Sequence, residues 1–153
     1  MIKSGIILVL VSLLVLVGLP ACGSAAARQN AIGMEYVSGE PIGISLKAST
    51  GAHSAVVLGG TWLFDDEEKV NAHLDWLVYA SRSRYYGVGL SARYTDNEDI
   101  DDIVLRFPLG FEKTISTESP IAFFGELVPG LELSPASEFN FSFTVGVRYL
   151  FVL

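Results

Sequence analysis

The sequence predicts an all-β protein, an eight-stranded antiparallel up-and-down transmembrane β-barrel, and three observations carry that reading. First, from Phe139 to Phe151 every second residue is large and apolar, and Asn140, Ser142, Thr144, Gly146 and Arg148 fall between them. Successive side chains of a strand point to opposite faces, so Phe139, Phe141, Phe143, Val145, Val147, Tyr149 and Phe151 share one face. Seven bulky side chains from one strand would overfill a small barrel, whereas lipid accepts them; the apolar face should point outward and Arg148 inward. Second, Gly-, Pro-, Ser- and Asp-rich breaks cut the chain after residue 27 into eight short segments, as in an antiparallel protein without crossover helices. Third, the 153 residues are 50% hydrophobic yet carry a net charge of -7, which suits neither a disordered tail nor an average soluble domain.

Residues 1–27 read as an export signal. Lys3 supplies the positive start, Gly5 through Leu19 the apolar stretch, and Pro20-Ala21-Cys22-Gly23-Ser24-Ala25 the small residues before the mature chain. Leu19-Pro20-Ala21-Cys22 resembles a bacterial lipobox, which would make this a lipoprotein signal ending before Cys22, the site of lipidation. Ordinary cleavage among Gly23 to Ala27 accounts for the segment equally well. Cys22 is the only cysteine, so no disulfide forms within the chain. Residues 28–153 are then a single barrel domain, near the length that eight strands of roughly 10 residues require. Beyond the signal no window reaches the ~18 apolar residues of a spanning helix, so membrane residence would have to use strands.

Strands are expected at Ile32–Val37, Ile42–Ser49, Ala55–Phe64, Val70–Tyr79, Arg84–Tyr94, Ile103–Thr114, Ile121–Leu133 and Phe139–Val152. In the fourth, Val70, Ala72, Leu74, Trp76 and Val78 oppose Asn71, His73, Asp75 and Tyr79. In the fifth, Tyr86, Val88, Leu90, Ala92 and Tyr94 oppose Gly87, Gly89, Ser91 and Arg93. In the sixth, Ile103, Leu105, Phe107, Leu109 and Phe111 oppose Arg106, Gly110 and Glu112. The third carries consecutive Val56, Val57 and Leu58, so alternation alone does not fix its register. Trp62, Trp76, Tyr36, Tyr86, Tyr94, Tyr149 and Phe151 sit toward strand ends or on the apolar face, where rings favour the boundary between lipid tails and headgroups.

With the polar faces turned inward, the lumen holds Glu35, Lys47, Asp75, Arg93, Arg106, Glu112, Glu126 and Arg148, four acids balanced by four bases. A barrel of eight strands is just wide enough to be filled by side chains, so this charge network should plug it rather than leave a large-solute channel. A structural core of ion pairs is the plainer reading of these charges, and a proton or ion path the sharper one. The acidic runs Asp65-Asp66-Glu67-Glu68 and Asp96 to Asp102 would project from one rim and keep it wet. They could also gather divalent cations and bridge to lipopolysaccharide, although neither has the spacing of a dedicated calcium loop.

No motif points to catalysis. His53 and His73 are the only histidines and cannot assemble a zinc site without cysteine. His73 and Asp75 share a face, with Ser91 on a neighbouring strand, but spacing of two along a strand sets them ~7 Å apart, too far for a direct imidazole–carboxylate bond without rotamer help. The glycines of Gly87-Val88-Gly89 lead into no helix, so there is no phosphate loop. Nor does a chain of this charge carry a basic patch for nucleic acid.

The runs His73-Leu74-Asp75-Trp76-Leu77, Tyr85-Tyr86-Gly87-Val88-Gly89 with Arg93, Arg106-Phe107-Pro108-Leu109-Gly110, Phe124-Gly125-Glu126-Leu127-Val128-Pro129 and Gly146-Val147-Arg148-Tyr149-Leu150-Phe151, with Gly43-Ile44-Ser45-Leu46-Lys47 nearer the start, form an ordered set over most of the mature chain. This set resembles a family of small, largely uncharacterised bacterial outer-membrane barrels of the OmpA- and OmpX-like, eight-stranded sort. The resemblance implies an outer-membrane location and carries over no catalytic residue. The chain departs from it in two ways, since Val152 and Leu153 follow the closing Phe151 and the lipobox-like Cys22 precedes the barrel.

The expectation is an exported, monomeric, non-enzymatic barrel in a Gram-negative-type outer membrane, with no cofactor. Its role would be structural, adhesive or surface-interacting, and its partners outer-membrane lipid, lipopolysaccharide and the barrel assembly machinery. A rival is a soluble or lipid-anchored periplasmic lipocalin-like barrel binding a small apolar ligand with the faces reversed. A third reading, a lipid-modifying enzyme, needs a carboxylate or serine beside His73.

Overall fold

The computed structural model describes residues 29–64, 68–95, 100–116, 118–134 and 137–152. The N-terminal segment read as an export signal, with Cys22, and the acidic residues 65–67 and 96–99 lie outside them. Nine strands form: β1 (Asn30–Val37), β2 (Ile42–Ser49), β3 (Ser54–Phe64), β4 (Glu68–Tyr79), β5 (Arg84–Thr95), β6 (Ile100–Arg106), β7 (Leu109–Thr114), β8 (Ile121–Ser134) and β9 (Phe139–Phe151). They pair antiparallel in one sheet, and β1 pairs with β9 from Asn30 opposite Phe151 to Val37 opposite Thr144, which closes the hydrogen-bond ladder into a ring. No helix occurs among the described residues.

The expected sixth strand is divided in two. Both β6 and β7 lie between β5 and β8, with Phe107 and Pro108 between them. Proline has no N–H to give to a ladder, and here the neighbours close the gap. The Phe107 amide donates to the Pro129 carbonyl, and the Gly87 amide to the Pro108 carbonyl, each at 2.9 Å. The register of β3, open from the sequence, sets Val57 opposite Lys47 on β2 and Asp75 on β4. Ala55, Val57, Gly59 and Thr61 therefore face inward, and Leu58 is also buried.

The two faces are sorted in the sense opposite to that of a water-soluble protein. Phe139, Phe141, Phe143, Val145, Val147 and Tyr149 are 39–76% exposed, and Leu74, Trp76, Tyr86, Val88, Leu90, Leu109, Phe111, Phe123 and Leu127 join them around the ring. Glu35, Lys47, His73, Asp75, Arg106, Glu126 and Arg148 are buried inside. Outer-face glycine is roofed by a ring: Gly125 stands opposite Phe111, whose ring lies over the place a Cβ would occupy, a cross-strand cover that holds register.

The two ends differ. Toward the end where Asn30 begins β1 and Phe151 ends β9, Ala55, Val57, Leu77, Tyr79 and Tyr85 form one apolar cluster and Ala31, Ala122 and Leu150 another. Toward the other end the interior opens into a cavity of about 210 Å³ lined by polar groups that include Asn71, Ser91, Asn140 and Ser142, with Arg106 among its walls. The turn between β1 and β2 stands at this mouth; Gly39 takes a positive φ of 82° there, a conformation glycine adopts without strain.

Candidate functional site in the barrel interior

Alternation brings the interior charges together, because the inward face of every strand but β3 and β5 contributes one or two. Arg148 on β9 is the hub. Its Nη1 lies 3.0 Å from Glu112 Oε2, and its Nε and Nη2 donate to Ser45 Oγ at 3.2 and 2.9 Å. Its guanidinium carbon stands 3.6 Å from the centre of the Phe124 ring, a cation–π contact. Lys47 shares Glu112, pairing with Oε1, and its Nζ lies 3.5 Å from the Tyr79 hydroxyl. The Tyr85 hydroxyl donates to Glu126 Oε1 at 2.7 Å.

A second string crosses the same interior. Glu35 Oε1 lies 3.6 Å from His73 Nδ1, His73 Nε2 lies 3.5 Å from Asp75 Oδ2, and Asp75 Oδ1 lies 3.2 Å from Arg106 Nε. All four side chains are at most 4% exposed. Its hydrogen bonding is incomplete: both Glu35 oxygens, Asp75 Oδ1, and Arg106 Nε and Nη2 are buried without an aligned partner. Glycines clear the space for it, since a Cβ on Gly59 would strike Glu35 and His73, and one on Gly89 would strike Asp75.

Of the eight charges expected in the lumen, seven converge here: Glu35, Lys47, Asp75, Arg106, Glu112, Glu126 and Arg148. Arg93 differs. It lines the mouth cavity with its side chain 43% exposed, held to Glu40 Oε1 at 2.6 Å and Asp102 Oδ2 at 3.0 Å. The pairing of β5 with β6 shifts register between Arg93 and Tyr94, and the carboxylates that receive Arg93 come from the mouth. Because Glu40 belongs to the turn between β1 and β2, this pair spans the opening. The interior is therefore left with four acids and three bases, not the balanced set expected.

His73 lies among them although the charge pattern did not include it. Alternation with Asp75 marked its face, but a residue neutral at pH 7 enters no tally of charge. Tyr85 was also missed, although it shares a face with Gly87 and Gly89; a tyrosine beside Tyr86 offers no signal of which ring turns in. Ser91 is the cross-strand partner of His73, yet both imidazole nitrogens face carboxylates, so neither faces the serine. Among the described residues no three His, Cys, Asp or Glu side chains are placed to hold a metal ion.

Comparison with protein-family models, curated proteins and solved structures gives no match to this chain. Its role is therefore read from the geometry of the barrel alone.

Proposed function

We propose that the chain is a small integral outer-membrane β-barrel with a plugged interior, serving a structural, adhesive or surface-interaction role and not the passage of large solutes. If β6 and β7 are counted as one strand interrupted at Pro108, the ring has eight positions, an OmpA- or OmpX-like count. The observation that carries the reading is the inverted sorting: 27 large hydrophobic side chains are exposed among the described residues while seven acidic, basic or histidine side chains are buried. A monomeric soluble protein rarely shows an apolar patch above a few hundred Å², and a belt around a whole closed sheet calls for lipid.

The dimensions agree. From Phe139 to Tyr149 the outward residues cover about 33 Å along the strand, which a tilt of roughly 40° reduces to the ~25 Å apolar band of such barrels. Tyr86 and Tyr149 stand toward one end of the belt and Tyr36 and Trp62 toward the other, the arrangement of interfacial girdles. In this reading residues 1–27 direct export, the partners are membrane lipid, lipopolysaccharide and the assembly machinery, and the protein is a monomer without enzymatic activity. A lipocalin-like reading would need the rings inside and the arginines in water, the reverse of the sorting described.

The test is expression with the native N-terminal segment, separation of outer membrane from periplasm, and electrophoresis with and without boiling. A membrane-fraction band that changes mobility on heating supports the proposal. A soluble periplasmic band would sink it.

A further inference from the structure

We propose that the interior binds one proton, shared among Glu35, His73 and Asp75, and exchanges it with water through the mouth cavity. Two independent arguments lead there, and neither depends on what surrounds the outer face.

The first is hydrogen-bond valence. A neutral imidazole has one N–H and one lone pair, and an ionised carboxylate only accepts. His73 turns both nitrogens to carboxylate oxygens, Glu35 at 3.6 Å and Asp75 at 3.5 Å. With all three groups in their ordinary forms, the lone pair of one nitrogen would face an anionic oxygen. One added proton removes the conflict, either as an imidazolium with an N–H turned toward each carboxylate or as a carboxylic acid facing the bare nitrogen. Both descriptions contain the same number of protons.

The second is charge. The buried interior takes Glu35 from β1, Lys47 from β2, His73 and Asp75 from β4, Arg106 from β6, Glu112 from β7, Glu126 from β8 and Arg148 from β9. From β3 and β5 come only neutral groups, among them Gly59, Thr61, Gly89 and Tyr85. Four acids meet three bases, so the ionised set carries one net negative charge where an uncompensated buried charge is strongly unfavourable. One proton cancels it. At the wetter mouth Arg93 pairs with Glu40 and with Asp102, and Glu132 lines the same cavity.

Access is set by position. Arg106 lines the mouth cavity and its Nε touches Asp75, so the string runs from water at the mouth through Asp75 to His73 and Glu35. The proton comes from bulk water, and only an N–H or O–H bond forms. At the other end apolar clusters pack the interior.

The unfolded chain carries no proton on these groups above roughly pH 7, because free histidine and free carboxyls titrate lower. The folded protein then holds one more proton than the unfolded, so its folding constant should fall tenfold per pH unit from about pH 7 upward until the trio releases the proton. Urea unfolding of the detergent-solubilised protein across that range measures the slope. Glu35→Gln and Asp75→Asn remove the need for the proton and should flatten it, whereas Glu118→Gln, in an exposed turn, should preserve it. A flat wild-type profile, or a full slope surviving in both Glu35→Gln and Asp75→Asn, overturns the proposal. Should those variants fail to fold, the wild type decides. An infrared carboxylic-acid band or a doubly protonated imidazole in the 15N spectrum of His73 at about pH 8, where free carboxyls and histidine carry neither proton, supports the bound proton. Absence of both refutes it.

Discussion

Replacing Arg148 by alanine should destabilise the protein by about 3–5 kcal/mol, the range for removing one partner of a buried ion pair. The size reflects what the side chain holds. Arg148 is 1% exposed, donates twice to Ser45, pairs with Glu112 at 3.0 Å and stacks on Phe124. Alanine leaves Glu112 to Lys47 alone, strips Ser45 of its donors and opens a void beneath the Phe124 ring. Equilibrium urea unfolding in detergent micelles, followed by the fluorescence of Trp62 and Trp76, reads the loss. With a denaturant slope of about 1–3 kcal/mol per molar, the midpoint should drop by roughly 1 M or more. The double variant Arg148→Ala/Glu112→Ala should recover part of it, with a coupling of about 0.5–3 kcal/mol. A single-variant loss below about 1 kcal/mol, the level of a solvated pair, would show that water reaches Arg148 and refute the reasoning from a dry interior.

Other substitutions separate the regions of the molecule. Arg93→Ala should cost at most about 1 kcal/mol, since its side chain is 43% exposed; a loss equal to that of Arg148→Ala would contradict the mouth placement. Gly59→Ala drives a Cβ into Glu35 and His73 and should cost about 1–3 kcal/mol by overpacking, checked by the same urea titration. Phe143→Arg puts a charge on the outer belt and should cost about 2–4 kcal/mol in lipid vesicles if that face lies near the bilayer midplane. An unchanged stability there would count against lipid contact at Phe143. Trp76, 56% exposed on the outer face, should be quenched by brominated lipid acyl chains, and unquenched emission would argue for a different environment.

The sequence made the faces legible because a strand has a period of two and this chain obeys it where the side chains are long. In β9, Arg148 and the phenylalanines declare opposite sides without any knowledge of the partner strand. What a single strand cannot report is height within the ring. Arg93 and Arg106 look alike as basic residues on inward faces, yet one reaches Glu40 across the mouth and the other Asp75 in the interior, because cross-ring distance depends on the register of every intervening pair. The consecutive Val56, Val57 and Leu58 show the same limit, resolved only when Lys47 and Asp75 take their places opposite Val57. Reading Ile103–Thr114 as one strand passed over Pro108, and the ladder closes across that break through Gly87 and Pro129, residues distant along the chain.

The unlike ends give the interior a direction. Apolar side chains pack the end at Ala31, Ala55, Tyr79, Ala122 and Leu150, whereas the other end opens into the cavity that Glu40, Asp102 and Glu132 line. A negative mouth concentrates cations and repels anions. Arg93 spans that mouth through Glu40 and Asp102, which narrows it further. A species that passes such a mouth and settles beside His73 must be positive and very small, and must find the Glu35 and Asp75 oxygens worth the loss of water. A proton meets each condition, whereas a solvated metal ion would have to shed its waters for a trio that offers one imidazole and two carboxylates already committed to it.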